Sequence, residues 1–337
     1  MRILIKGAGW YGCHIGLALL DAGHEVSIHE SRRDIFLGAS GNNPARLHSG
    51  FHYPRSSLTQ ESCMENQDKF MRAYGQLTHE VKDNIYAIAE HESLLDFGTY
   101  KKCIQKTAAW VEVNPSRCGL RNVEGAVSVQ ERHIVIEKAR EFFNENLITN
   151  LMFGPEHPAR NLETEGYYDW TIDCTFSQSA ATPAKAIDRY EPCLTVLLKT
   201  GTDMAITIMD GPFPSLYPWN EELGLCSLTS ALYTPLSKFC KSYSEAQEIL
   251  SRTSLAKLMV QAKSMFRQMA YYYPELFNID EILVQNLKTS IRAMPSSAAD
   301  ARLCRVVKTD PKSLVVLAGK IDAIFHAEQQ VKELISA

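Results

Sequence analysis

Ile3-Leu4-Ile5-Lys6-Gly7-Ala8-Gly9-Trp10-Tyr11-Gly12 stands near the start of a chain of 337 residues, and the unit it opens decides the fold. Ile3 to Ile5 are an apolar run of strand length, Gly7-x-Gly9-x-x-Gly12 turns the chain, and Cys13 to Ala22 has the Ile, Leu and Ala content of a helix. Gly23 breaks that helix, and His24 to His29 reads as a second strand ending beside Glu30. The unit is βαβ. Gly7 permits the tight turn, Gly9 lets backbone approach a pyrophosphate, Gly12 allows close helix packing, and the helix N-terminus attracts phosphate. Glu30, eighteen residues past Gly12, is placed to accept hydrogen bonds from a ribose diol and would repel the extra phosphate of NADP. The pattern predicts dinucleotide binding and leaves FAD and NAD as the choices.

Composition narrows the partners. With 35 Lys plus Arg against 39 Asp plus Glu, a net charge of −4 and 45% hydrophobic residues, the chain reads as a soluble globular protein of about two domains. It has no block of basic residues to hold nucleic acid and no apolar stretch long enough for an integral membrane segment. The nine cysteines, odd in number and without a C-x-x-C pair, predict reduced thiols and no structural metal. The apolar run after Met1 is too short for a signal peptide, so the expected location is cytoplasmic.

After Glu30 come Ser31 and Arg32, then the loop Gly38-Ala39-Ser40-Gly41-Asn42-Asn43-Pro44, rich in amides and short polar side chains that suit phosphate. The next stretch, Ala45-Arg46-Leu47-His48-Ser49-Gly50-Phe51-His52-Tyr53-Pro54-Arg55, concentrates two His, two Arg and a Tyr where a purely NAD-dependent domain would start a third βα unit. The cofactor indicated is FAD. In this combination, residues 1–58 resemble the D-amino-acid oxidase superfamily of FAD-dependent oxidoreductases, nearest its L-2-hydroxyglutarate and glycerol-3-phosphate dehydrogenase branch.

That resemblance implies an α/β fold, α+β overall: a Rossmann-like FAD-binding domain in segments 1–58, 120–190 and 286–337, and an antiparallel-sheet substrate domain in 59–119 and 191–285. It puts FAD contacts on Gly7, Gly9, Trp10, Tyr11, Gly12, Glu30, Ser31, Arg32, Ala39, Ser40, Gly41, Asn42, Arg46, Leu47 and His48, and later on Thr175, Gly319, Lys320 and Ile321. Between these, Glu65 to Tyr74 and Leu77 to Glu90 read as helices, Gly125 to Val129 as a strand returning to the FAD domain, and Glu131 to Asn146 as a helix. Phe176 stands where family members carry a glycine. Residues 191–235 are β-rich, with Tyr217, Trp219 and Tyr233 placed to wall a pocket over the isoalloxazine ring. Ser290-Ile291-Arg292-Ala293-Met294-Pro295 with Asp300 resembles the family's Arg-x-x-Pro…Asp stretch. The strand Leu314 to Leu317 meets Gly319 and Lys320, and the helix from Ile321 presents its N-terminus to the flavin pyrimidine edge.

The chemistry implied is oxidation of a CH–OH or CH–NH bond in a small polar, acidic substrate by hydride transfer to flavin N5. His48 and His52 are the base candidates, because imidazole titrates near working pH. Arg46, Arg55 and Arg292 can clamp an acid group through the guanidinium fork, Arg292 foremost, with Tyr53 and Arg55 as further substrate contacts. Two alternatives stand: a non-redox flavoenzyme acting on a sugar nucleotide, and a non-catalytic dinucleotide-binding protein. The electron acceptor and a homo-oligomeric assembly stay open.

Overall fold

The computed structural model describes residues 1–154, 166–179, 182–183, 186–200, 204–220, 222–278, 287–295 and 304–337; Asp300 lies outside them. Strand β1 (Arg2–Lys6) buries Ile3, Leu4 and Ile5, passes through Gly9 into helix α1 (Trp10–Asp21), and is joined by β2 (Glu25–Glu30), parallel to it with Ile5 opposite Ile28. A two-residue β3 (Arg46–Leu47) precedes α2 (Ser57–Tyr74), whose first turn is capped by the Ser56 hydroxyl accepting from the Thr59 amide. There follow β4 (Thr78–Ala89), α3 (Phe97–Cys103), β5 (Trp110–Val113), β6 (Val123–Ile134), α4 (Ile136–Leu147), β7 (Leu151–Phe153) and β8 (Trp170–Asp173). The second half holds β9 (Ile187–Lys199), β10 (Met204–Met209), β11 (Pro214–Asn220), β12 (Leu225–Ser230), α5 (Tyr243–Arg252) and α6 (Leu255–Tyr272). It closes with β13 (Leu287–Pro295), β14 (Arg305–Asp310), β15 (Ser313–Leu317) and α7 (Ile324–Ser336).

Two sheets result, and together they make the expected fold class. The first runs β14-β15-β8-β1-β2-β7, parallel except for β14. The second runs β13-β9-β12-β11-β10-β4-β6-β3, with β5 also on β6, and is antiparallel except for the β4–β10 pair.

Three expectations need correction. Leu77 to Glu90 is not helical: Ile85 to Ala89 are buried one after another, as a strand covered on both faces demands, and they form β4. Glu131 to Ile134 complete β6, so the following helix begins only at Ile136. Finally, β3, β6 and β13, which the sequence reading groups with the cofactor-binding segments, all pair in the second sheet. The chain thus crosses between the sheets more often than local composition reveals.

Beneath α1 lies an aromatic core in which the Trp10 ring meets Phe36, Phe70, Tyr74 and Phe143 at centroid distances of 5.2 to 5.8 Å. A separate core forms where Met265 and Met269 of α6 pack on Leu194, Val196, Ile206, Leu216 and Leu228 of the second sheet. Between the sheets, the carboxyl ends of β1, β2 and β8 point into open space. Strand order reverses around β1 there, which is where open α/β sheets bind ligands.

Candidate active site

That space is a cavity of about 1230 Å³. It exceeds the roughly 300–1,000 Å³ of a drug-sized pocket and suits a dinucleotide together with a second small molecule. Its first wall is the glycine turn. Gly7 has φ 93°, and a Cβ there would sit 2.9 Å from the Cys174 carbonyl oxygen. A Cβ on Gly9 would lie 2.7 Å from Ser40 Oγ, and one on Gly12 only 1.9 Å from the Gly7 carbonyl oxygen. Gly7 and Gly9 line the cavity, whereas Gly12 serves the close approach of α1 to the turn.

Glu30 ends β2 nearly buried, its Oε2 accepting from the Ala8 amide and its Oε1 from the Arg32 amide, both at 3.0 Å. Ser31, Arg32, Ala39, Ser40 and Asn42 continue the same wall. Ser40 Oγ accepts from the Trp10 amide at 3.0 Å, and Asn42 Nδ2 donates to the Gly38 carbonyl at 2.9 Å. Gly41 stands behind this wall, where a Cβ would meet the Phe36 carbonyl oxygen at 2.0 Å, and Leu47 is core. The residues fit FAD: a cradle in which side chains are sterically refused, with a fixed carboxylate at the strand end.

Across the cavity, Thr175 Oγ1 donates to Asp173 Oδ1 at 2.7 Å. Phe176 and Ser177 follow in left-handed backbone, φ 61° and 60°, at the place where a glycine was expected. That is a conformation glycine adopts without strain, and Phe176 lines the cavity. The loop Gly319-Lys320-Ile321 also lines it, held to α1 by the Tyr11 hydroxyl, which donates to the Lys320 carbonyl at 2.5 Å. Lys320 Nζ lies 3.0 Å from Asp322 and 5.0 Å from the centre of the Tyr53 ring, and donates to the Cys63 thiol. Burial opposes its charge, but Asp322, Tyr53 and Cys63 outweigh burial and raise the ammonium above its ordinary pKa. Burial pushes the Cys63 thiol up to about 11.

His48 and His52 stack at 5.1 Å with Tyr53 edge-on to both, and all three line the cavity. Burial, with the nearby charges of Lys320 and Arg46, lowers the His48 pKa despite the opposing pull of Glu131, so the imidazole is neutral near pH 7. Beneath the ring, Glu131 Oε1 lies 3.8 Å from Nδ1 and accepts from the Ser49 amide at 2.7 Å. Glu131 Oε2 accepts from Tyr86 at 2.7 Å and from Asn84 at 3.1 Å. Burial raises this carboxyl, yet the hydrogen bonds it makes with His48, the Ser49 amide and Tyr86 leave it below its ordinary pKa, hence ionised.

The arginines differ from expectation. Arg292 lines the cavity, but its Nε and Nη2 both go to Glu191, which also binds Arg189. Its charge is therefore met by an internal carboxylate rather than left unpaired for substrate. Arg55 reaches Asp210 at 2.6 Å across the cavity wall. Arg46 donates to Thr207 Oγ1 at 3.1 Å and Ser215 Oγ at 2.6 Å, with its guanidinium 4.2 Å above the Tyr217 ring. Tyr217, Trp219 and Tyr233 do not line the cavity: Tyr217 is wholly buried under Arg46, and Tyr233 packs on the α6 core.

Glu131, Tyr86 and Asn84 were not singled out from the sequence. The signal was present in β6, where Val127, Val129, Glu131 and His133 alternate onto one buried face, so an acid interrupts an apolar row.

No family model matches the chain. It is 33% identical over 339 residues to the FAD-dependent monooxygenase FPY4 of Fusarium mangiferae, covering 98% of this chain and 90% of that one. Its fold is that of glycine oxidase from Geobacillus kaustophilus, with TM-score 0.67, 12% identity and coverage of 99% and 95%. It is equally that of the FAD-bound L-alpha-glycerophosphate oxidase of Mycoplasma pneumoniae, with TM-score 0.65, 12% identity and coverage of 100% and 94%. Among the described residues no helix is long and apolar enough to cross a membrane. Identity over nearly the whole length, on a fold shared with flavin oxidases and around a cavity shaped for the dinucleotide, closes the non-catalytic alternative: the chain is an FAD-dependent oxidoreductase and belongs to the family of the Fusarium FAD-dependent monooxygenase.

Proposed function

We propose that the protein oxidises a small polar molecule at a CH–OH or CH–NH centre, with His48 removing the proton. Bound FAD supplies a two-electron acceptor at its N5. The observation that carries the reading is the neutral imidazole of His48 on the cavity wall, backed by an ionised, solvent-shielded Glu131. Nδ1 faces Glu131 and Tyr86, which leaves Nε2 to accept a proton. Glu131 steadies the imidazolium once the proton has moved, as a buried acid does for any histidine base. Lys320, its ammonium paired with Asp322, donates from beside Tyr53 on the side of the cavity expected to hold the flavin pyrimidine edge.

A second reading rests on the name of the Fusarium relative, a monooxygenase: the product then carries an atom from dioxygen. One experiment separates the two. The holoenzyme is mixed anaerobically with a panel of 2-amino acids, 2-hydroxy acids and secondary amines while flavin colour is followed, and is then turned over under ¹⁸O₂. Bleaching by a panel member, with product lacking the label, is the expected result; label in the product establishes the monooxygenase reading, and failure of every compound to bleach the flavin removes the first.

A further inference from the structure

We propose that Arg46, with the hydroxyls of Thr207 and Ser215, forms the docking site for an anionic group of the bound substrate. For the identity of the bound molecule this rests on the oxidation proposed above.

Of the arginines on the substrate side of the cavity, Arg55, Arg189 and Arg292 each face a carboxylate, from Asp210, Asp188 and Glu191. Among the described residues Arg46 faces none; its described partners are two neutral hydroxyls and the face of Tyr217. A guanidinium offers five N–H donors, of which the hydroxyls take two. Its Nε is buried and has no hydrogen-bond partner. The surroundings are made for a charged head group. Thr207 and Ser215 are buried, bonded to each other at 2.8 Å, and both line the cavity, so the cation is held in a fixed pose and not left to wander in solvent.

Position ties this cation to the reaction. Arg46 stands two residues before His48, and its charge is close enough to disfavour protonation of that imidazole. An anion seated on Arg46 therefore places the rest of a small molecule beside the base. From sequence Arg46 is both a cofactor contact and one of three candidate acid clamps, with Arg292 the foremost clamp; the pairing of Arg292 with Glu191 moves that choice to Arg46.

The test titrates FAD-loaded enzyme with benzoate and, separately, inorganic phosphate at constant ionic strength, reading the perturbation of the visible flavin spectrum. Wild type is expected to bind at least one probe saturably, and which one identifies a carboxylate or a phosphate as the group recognised. Arg46→Met is expected to weaken that binding roughly tenfold or more at unchanged flavin content, with partial rescue in Arg46→Lys. Binding equal to wild type in Arg46→Met overturns the proposal, as does wild type binding neither probe. Loss of flavin from Arg46→Met also overturns it, since the residue then belongs to the cofactor site. Because no turnover is read, an Arg46-dependent anion site in an enzyme that oxidises no panel compound would sink the oxidation reading alone.

Discussion

His48 Nδ1 stands 3.8 Å from Glu131 Oε1, and that carboxylate is 1% exposed, so the imidazole on the cavity wall rests on an acid that solvent does not reach. Three further donors, the Ser49 amide, Asn84 and Tyr86, converge on the same carboxylate. The arrangement fixes the ring and sets its charge together.

Replacing Glu131 separates these tasks. Glu131→Gln keeps the shape but not the charge, and substrate-driven flavin reduction is expected to slow about 10²-fold or more, as loss of acid–base assistance does. Glu131→Ala leaves the converging donors without an acceptor and is expected to cost about 3–5 kcal/mol. Anaerobic stopped-flow reduction and denaturant unfolding measure the two effects.

His48 also predicts a pH dependence of stability. Its folded pKa lies below the ordinary 6.5, mainly through burial, so under mild acid the unfolded chain binds a proton that the folded chain refuses. This contribution is complete above pH 6.5 and is lost as pH falls below it. His48→Asn should flatten the fall in melting temperature between pH 7 and 5.5; an unchanged slope would show that the imidazole does not titrate as described.

Gly7→Ala places a Cβ against the Cys174 carbonyl in a backbone with φ 93°. The strain is of order 1–3 kcal/mol and falls on the turn proposed to hold the pyrophosphate. The purified variant should have a lower melting temperature and less bound FAD, read by the ratio of visible to protein absorbance.

Ser177→Gly should act in the opposite direction. Ser177 has φ 60°, and its buried hydroxyl has no hydrogen-bond partner. Glycine removes about 1–2 kcal/mol of left-handed strain together with the stranded hydroxyl, and adds back about 0.5–1 kcal/mol of chain entropy. A net gain of about 1 kcal/mol is expected in urea unfolding.

The cofactor half of the site was legible because its cause is local. Gly7, Gly9, Gly12 and Glu30 lie in one βαβ unit whose spacing is read along a short stretch of chain; Gly12 and Glu30 meet backbone of the unit itself, while Gly7 is confined by the Cys174 carbonyl and Gly9 by the Ser40 side chain. At Phe176, where the resemblance implies a glycine, the backbone is left-handed. The substrate half was not, because its partners come from distant strands. Arg292 looked available until Glu191 on β9 was paired with it through the β13–β9 register, and Arg46 gained Thr207 and Ser215 only through the second sheet. Aromatics beside prolines, such as Tyr217 in the middle of β11, mark strands but not which way the rings face. Leu77 to Glu90 shows the same limit: a run buried on both faces has no helical or strand period to read.

The most direct test of the central claim is anaerobic flavin reduction in His48→Asn, using the panel compound that bleaches the wild-type flavin. The account predicts full FAD content with reduction slowed about 10²–10⁴-fold, and a wild-type rate that declines with acid only below the ordinary imidazole pKa. Reduction of the variant at the wild-type rate would contradict it and remove His48 as the base.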